Sequence, residues 1–337
     1  MMVLGTQSCH NVGELSEVSS ARRAGVEMSR KLGFDDVRSG ELAIIITEAA
    51  TNIGKHAKSG QIYLRAISEG DKHGIEVLAV DSGPGMRDIE INFIDGNSST
   101  GTSGTGLGAI KRLAHFMDIY SEHDKGTVLL MILWADPEII SENFWEIGNM
   151  CLPIPSETVC GDSWIAVGSE NGLSVLVADG LGHGQGAAEA SLLAVKALQD
   201  DPALFPARVM QNSHLLMRGS RGAAVAVARI DAIANELRYC GIGNIAGCIC
   251  SQKSRQHLIS HNGIVGNNMR KTQEFLHKWT DDSIVIMHSD GIGTKWSIEH
   301  YPELENRHSS VIAAVLHRDF TRGRDDATIV VFKRILN

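Results

Sequence analysis

The polar and apolar positions of this 337-residue chain change period along its length, and the changes outline two halves. Between residues 14 and 33, Val18, Ala21, Gly25, Met28 and Leu32 recur at helical spacing, with Gly33 placed as a C-cap. A second helix is expected from Ser39, a candidate N-cap, through GELAIIITEAATNIGKHA. Leu42, Ile45, Ile46, Ala49 and Ile53 form its apolar stripe, and Glu48, Asn52, Lys55 and His56 lie on a polar stripe beside it. Two strands follow, 61–67 and 75–80, joined by the polar turn Ser68 to Gly74. A helix over 109–116 and a strand over 128–134 complete this half, and Ala135-Asp136-Pro137 breaks the strand. Residues before 14, His10 included, read as a frayed terminus.

Beyond residue 137 the pattern shifts to short β-type runs, at 144–151, 163–168, 174–177, 223–230, 236–241, 283–287 and 328–332. Helical patterns interrupt them at 187–198, 203–217 and 305–320. No Gly/Ser-rich tether separates the halves and no internal repeat is visible, so the expected domains are 1–136 and 137–337 with a short connection.

Composition narrows the function classes. A hydrophobic fraction of 43% and a charged fraction of 21% are those of a soluble globular protein. A net charge of -9 with scattered Lys and Arg argues against nucleic acid and anionic membrane as partners. The N-terminus lacks a basic n-region and a long apolar h-region, and no window has the length of a membrane span, so a cytoplasmic location is expected. Six cysteines without a paired framework fit a reducing compartment. Cys248 and Cys250 share a strand face but lack further zinc ligands, and read as packing residues.

Candidate chemistry in the first half begins where the second strand ends, in Asp81-Ser-Gly-Pro-Gly-Met86. A glycine- and hydroxyl-rich segment, GNSSTGTSGTGLG over 96–108, then runs into a helix. Such a segment exposes backbone N–H groups that can cradle a polyphosphate at a helix N-terminus. Taken singly, the polar stripe is also compatible with a solvated face, and the glycine segment with a flexible linker. The order and spacing of the Glu48/Asn52 helix, DSGPGM, GTSGTGLG and Lys125-Gly126-Thr127 resemble the GHKL-type ATP-binding domain shared by gyrase, histidine kinases and MutL. Over residues 10–136 the chain is most similar to the anti-sigma-factor serine kinases of the RsbT type. The resemblance implies that Asp81 binds the adenine amino group, with Gly83 and Gly85 shaping its pocket and Thr127 nearby. It further implies that Asn52 holds Mg²⁺, that Gly104, Gly106 and Gly108 form the lid over ATP, and that Glu48 is the general base for the substrate hydroxyl. A carboxylate one helical turn before a Mg²⁺ ligand sits next to the γ-phosphate, which suits that role. Only about forty residues precede this helix, too few for the phosphoacceptor hairpin of a histidine kinase.

In the second half, an apolar run delivers Asp179 into a loop with glycine at 180, 182, 184 and 186. An Asp-Gly turn is the simple reading of that stretch alone. Yet Asp162, Asp179, Asp290 and Asp325 all sit at ends of strongly apolar strands, where aspartate is depleted. Gathered by folding, they would repel unless cations neutralised them, and oxygen ligands without His or Cys favour Mg²⁺ or Mn²⁺ over zinc. CGD, VADGLGHG, GIGN, HSDGI and DDATIVV, in that order over 140–335, resemble the SpoIIE-type metal-dependent Ser/Thr phosphatases of the protein phosphatase 2C class, the compact RsbX-like members above all. The resemblance implies that Asp179 bridges two metals, that Asp162 and the Gly180 carbonyl complete one, and that Asp290 and Asp325 complete the other, with Asp326 the lesser candidate. It implies hydrolysis of phosphoserine or phosphothreonine by metal-activated water, without a covalent phosphoenzyme. The first motif reads Cys-Gly-Asp where many members have Gly-Gly-Asp. His183 stays outside the catalytic set.

The expected fold class is α+β, an α/β two-layer sandwich of GHKL type followed by an αββα four-layer phosphatase sandwich. The expected function is a bifunctional partner-switching regulator that phosphorylates and dephosphorylates Ser/Thr on a STAS-type anti-sigma antagonist. The alternative is a phosphatase whose N-terminal domain only binds ATP or a partner protein.

Overall fold

A computed structural model describes residues 2–89, 106–139, 142–251, 254–269 and 271–335. Gly104, placed in the lid above, lies outside them. The chain forms two compact units, one of Met2–Glu142 with Asn306–Arg318, the other of Asn143–Glu305 with Asp319–Asn337. The first therefore takes in a segment from far along the chain.

In the first unit the strands are β1 (Met2–Leu4), β2 (Ser8–Val12), β3 (Gly60–Glu69), β4 (Lys72–Asp81), β5 (Phe116–Glu122) and β6 (Gly126–Trp134). They pair antiparallel in the order β1-β3-β4-β6-β5, with β2 also on β3. Helices α1 (Leu15–Lys31), α2 (Asp36–His56) and α3 (Gly106–Leu113) accompany them. The apolar stripe of α2 is buried as its spacing requires: Leu42, Ile45, Ile46, Ala49 and Ile53 join Ile62, Leu64, Val77 and Met131 of the sheet in one core. Gly25 of α1 lets the helices approach, since a Cβ there would lie 2.2 Å from Ile46 Cδ1.

Three expectations shift here. The terminus expected to fray is strand β2, with His10 paired to Ile62, because Ser8–Val12 extends the sheet edge. Helix α2 starts at Asp36, earlier than expected, because the Asp35 side chain accepts from Arg38 N at 2.7 Å and caps it. Ser39 is instead buried, with its hydroxyl 2.9 Å from that of Ser29. Strand β5 was hidden by a helical pattern that in fact ends at Leu113.

Every residue of β6 is buried, which accounts for its unbroken apolar run. On the sheet face away from the α2 core, Arg65 and Glu76 are cross-strand partners at 0% and 1% exposure. Arg65 Nη2 lies 2.7 Å and 2.8 Å from the two Glu76 oxygens. Ser310, from helix α6 (Ser309–Phe320), accepts from Arg65 at 3.2 Å and donates to Glu76 at 2.8 Å. Asp118 of β5 accepts from His308 N at 2.7 Å, so the start of helix α6 is fastened to the sheet at two points.

The second unit holds two sheets. One contains β8 (Asp162–Ser169), β9 (Gly172–Gly180), β10 (Ala223–Asp231), β11 (Glu236–Ile242), β14 (Ser260–His261) and β15 (Phe275–Lys278). The other runs β13 (Ser254–Leu258), β12 (Ala246–Ser251), β16 (Ile284–His288), β17 (Ala327–Arg334), β7 (Trp145–Leu152). Trp145 of β7 donates its indole N–H to Ser169 O of β8 at 2.7 Å, tying one sheet to the other. Helices α4 (Gln185–Asp200) and α5 (Pro206–Leu216) bury Ala190, Ala194, Leu198, Val209 and Met210 against Leu176, Val225 and Val227. Cys248 and Cys250 are buried in β12 as packing residues, their sulfurs 3.6 Å apart. The fold class is α+β.

Candidate active sites

In the first unit, Glu48 and Asn52 stand one turn apart on α2, half-buried at the edge of its apolar stripe. The N-terminus of α3 comes down on both. A Cβ on Gly106 would lie 3.0 Å from Glu48 Oε2 and 3.2 Å from Asn52 Oδ1, so the helix start packs closely on both side chains. Gly108, two residues into α3, is buried. The carboxylate and the amide thus face a helix end whose N–H groups suit anions.

Asp81 ends β4 and turns into the next loop. Its Oδ1 accepts from Gly83 N at 2.8 Å and Thr127 N at 3.3 Å. Its other oxygen makes no hydrogen bond among the described residues, and is an acceptor presented for a donor such as an exocyclic amine. Burial raises its pKa, partly offset by those two N–H donors. The loop is clamped down by close approach. Gly85 has φ +64° and a Cβ would lie 2.1 Å from Glu122 O, while Gly83 packs on Ala57. Thr127 is held through its hydroxyl, 2.8 Å from that of Ser121. Asp81, Gly83, Gly85 and Thr127 therefore form one cluster, and Glu48, Asn52 and Gly106 a second, with Gly108 following in α3.

In the second unit, Asp162 and Asp179 are directly opposite in the β8–β9 ladder, so their side chains project from the same face. Asp290 follows β16 and Asp325 precedes β17, both in the other sheet. Asp179 is within electrostatic reach of the other three. Burial first, then the charges of Asp162, Asp290 and Asp325, push the Asp179 carboxyl up to about 8. Burial pushes Asp162 up to about 7 against hydrogen bonds from Ser289 and Thr328 that lower it. Asp325 is raised by burial and by Asp290 and Asp326.

Among the described residues no three acidic, histidine or cysteine side chains enclose a point as a finished metal cage. Asp162 turns to Ser289 and Thr328, and Asp290 accepts from Asn244 Nδ2 at 2.7 Å. The residues nevertheless fit a hard divalent cation. Asp162 Oδ2 is buried without a hydrogen-bond partner, beside three other carboxylates, and every donor is oxygen. Gly180 closes β9 where its Cβ would lie 2.1 Å from Ala187 O, which packs the backbone carbonyl-bearing turn directly on α4.

Asp326 has a different task. Its two oxygens accept from Ile154 N and Gly161 N, each at 2.7 Å, so it pins the loop before Asp162 and is spent as a ligand. Sequence reasoning assigned no role to Asn244, although GIGN was among the recurring motifs, nor to Ser289, Thr328 or Glu157. Glu157 lies 2.7 Å from His183 Nδ1 and packs over Gly184.

These two sites define the chain as a histidine-kinase-type nucleotide-binding domain joined to a carboxylate-centred phosphatase-type sandwich. Residues 13–133 match the histidine kinase-like ATPase domain, and residues 169–335 match stage II sporulation protein E, SpoIIE. The first is 33% identical over 131 residues to the serine/threonine-protein kinase RsbT of Bacillus subtilis (strain 168), spanning 39% of this chain and 98% of the kinase. The second is 26% identical over 138 residues to the phosphoserine phosphatase RsbX of the same organism, spanning 40% of this chain and 69% of the phosphatase. The crystal structure of RsbX in complex with magnesium superposes with a TM-score of 0.51 at 19% identity, covering 59% of this chain and 99% of RsbX. The chain belongs to the RsbT family of serine/threonine kinases through its N-terminal part and carries a SpoIIE domain in its C-terminal part. Among the described residues no helix is long and apolar enough to cross a membrane.

Proposed function

We propose that the chain is a partner-switching regulator with an ATP-dependent Ser/Thr kinase site in its first unit and a metal-dependent phosphoserine/phosphothreonine phosphatase site in its second. The observation that carries the reading is that both sites assemble from separated stretches: Asp81 with Thr127, Glu48 with Asn52 and Gly106, and four aspartates from two sheets. RsbT and RsbX, the relatives of the two halves, are named as a kinase and a phosphatase.

In the kinase site Asp81 accepts the adenine amine, Asn52 holds Mg²⁺ beside the phosphates, and Gly104, Gly106 and Gly108 cover them. Glu48 takes the proton of the attacking hydroxyl, since it shares the α3 N-terminus with Asn52. In the phosphatase site Asp179, Asp162 and the Gly180 carbonyl hold one cation, and Asp179, Asp290 and Asp325 a second. Bound there, Mg²⁺ or Mn²⁺ supplies charge neutralisation at the phosphoryl oxygens and a more acidic water. Asn244 fixes the rotamer of Asp290, and Asp326 fixes the loop that carries Asp162. The protein substrate for both is a STAS-type anti-sigma antagonist, or two related ones under reciprocal control, because opposed activities on one residue would merely hydrolyse ATP.

Purified STAS proteins incubated with ATP, Mg²⁺ and the Asp179→Asn chain should acquire phosphoserine or phosphothreonine, and the Glu48→Gln, Asp179→Asn double variant should bind ATP without transferring phosphate. Absence of any ATP-dependent phosphorylation by Asp179→Asn removes the kinase half and leaves a nucleotide- or partner-binding module.

A further inference from the structure

The glycines after Asp179 accommodate something besides the aspartate. In the β9–β10 ladder Gly180 pairs with Ala223 and Asp179 with Ala224, and Leu181 N bonds Gly222 O at 3.0 Å. Arg221 therefore lies just past the strand end, opposite the glycine loop. A Cβ on Gly182 would stand 3.3 Å from Arg221 Nη1, and one on Gly186 would stand 2.8 Å from its Nε and 2.9 Å from its Cζ. The guanidinium rests on the loop in the space that these two glycines leave.

Its partners are few. Nη1 donates to His183 O at 3.4 Å, the residue is exposed, and no carboxylate pairs with it among the described residues. Glu157, from the segment before Asp162, is taken by His183 at 2.7 Å. With no ion pair among the described residues, this arginine rests exposed on the loop that begins at Asp179, its guanidinium packed over Gly182 and Gly186.

A phosphoryl dianion approaching four carboxylates needs positive charge at the rim as well as at the centre. A guanidinium is planar and permanently charged, and its forked N–H groups match two phosphoryl oxygens. We infer that Arg221 binds the phosphoryl group of the phosphoserine or phosphothreonine substrate at the mouth of the phosphatase site and is a substrate-binding determinant of its affinity. The inference rests on the phosphatase reading above.

The test uses the full chain with Mn²⁺ and two substrates, a phosphoserine protein and 4-nitrophenyl phosphate, with inorganic phosphate as inhibitor. Arg221→Ala should raise KM for both substrates and Ki for phosphate together, by about 10- to 100-fold, with kcat changed by less than about threefold. Arg221→Lys should recover part of the loss, since it keeps the charge and loses the fork. The Mn²⁺ concentration for half-activation should not move. Unchanged KM and Ki in Arg221→Ala overturn the inference alone, as does a loss confined to kcat with a shifted Mn²⁺ midpoint, which would mark a role in shaping the metal loop. A wild-type chain without Mn²⁺-dependent hydrolysis overturns the phosphatase reading and this inference with it.

Discussion

Replacing Asp179 by asparagine should stabilise the metal-free protein while removing most of its response to metal. In the folded chain burial and the nearby carboxylates of Asp162, Asp290 and Asp325 move the Asp179 carboxyl from 3.8 up to about 8. Because the folded value lies above the unfolded one, this group's contribution to stability is fully present below pH 3.8 and is lost as pH rises toward about 8. At pH 7 the metal-free fold keeps a proton that the unfolded chain has released, which costs on the order of 2–4 kcal/mol. Asparagine has nearly the same shape and no charge, so in EDTA at pH 7 the variant should gain about that much, on the order of 2–4 kcal/mol, in urea unfolding. Its stability should also fall less steeply between about pH 4 and pH 8, with a residual slope from Asp162, itself pushed up to about 7. Tryptophan fluorescence reports on the right unit, since Trp145, Trp164, Trp279 and Trp296 all belong to it. Added Mn²⁺ should raise the wild-type midpoint by mass action and barely move that of the variant. A variant no more stable than wild type in EDTA, or equally stabilised by Mn²⁺, would refute the carboxylate cluster as a cation site.

The neighbouring aspartates should separate cleanly. Asp326→Ala loses two charge-assisted bonds to backbone N–H groups and should cost about 3–5 kcal/mol of stability, whereas Asp325→Asn should unfold within about 1 kcal/mol of wild type and fail in Mn²⁺-dependent hydrolysis. In the first unit, Glu76→Ala leaves the Arg65 guanidinium buried without its carboxylate and should cost about 3–5 kcal/mol, while Ser310→Ala should cost about 1–2 kcal/mol. Both are read by denaturant unfolding, and an unaltered midpoint in Glu76→Ala would contradict the buried network. Asp81→Asn should weaken ATP about tenfold or more in calorimetry without altering the unfolding midpoint by more than about 1 kcal/mol.

Much of the fold was legible because burial imposes a period. The α2 stripe of Leu42, Ile45, Ile46, Ala49 and Ile53 was visible in the sequence and is the core. The unbroken run of β6 marked a strand covered on both faces. Strand β2 escaped notice because its residues are mostly polar, and β5 because its start at Phe116 was read as the end of the preceding helix. The inclusion of Asn306–Arg318 in the first unit was not legible either, because Arg65, Glu76 and Ser310 are distant in sequence and each is unremarkable alone. For the sites, a carboxylate at the end of an apolar strand stood out at Asp81, Asp162, Asp179 and Asp290, since local sequence supplies the contrast. Residues that orient those carboxylates did not: Asn244 reaches Asp290 across 46 positions, and Asp326 reaches Gly161 across 165. Arg221 belongs to the same class, visible only once the loop glycines lie beneath it.

The most direct measurement on the two-activity reading is phosphate release from Ser/Thr-phosphorylated STAS proteins, comparing wild type with Asp290→Asn in Mn²⁺. Wild type should release the phosphate and Asp290→Asn should retain it, with phosphorylation by both equally dependent on Glu48. Release by Asp290→Asn at the wild-type rate, or a wild type that neither adds nor removes phosphate, would contradict it.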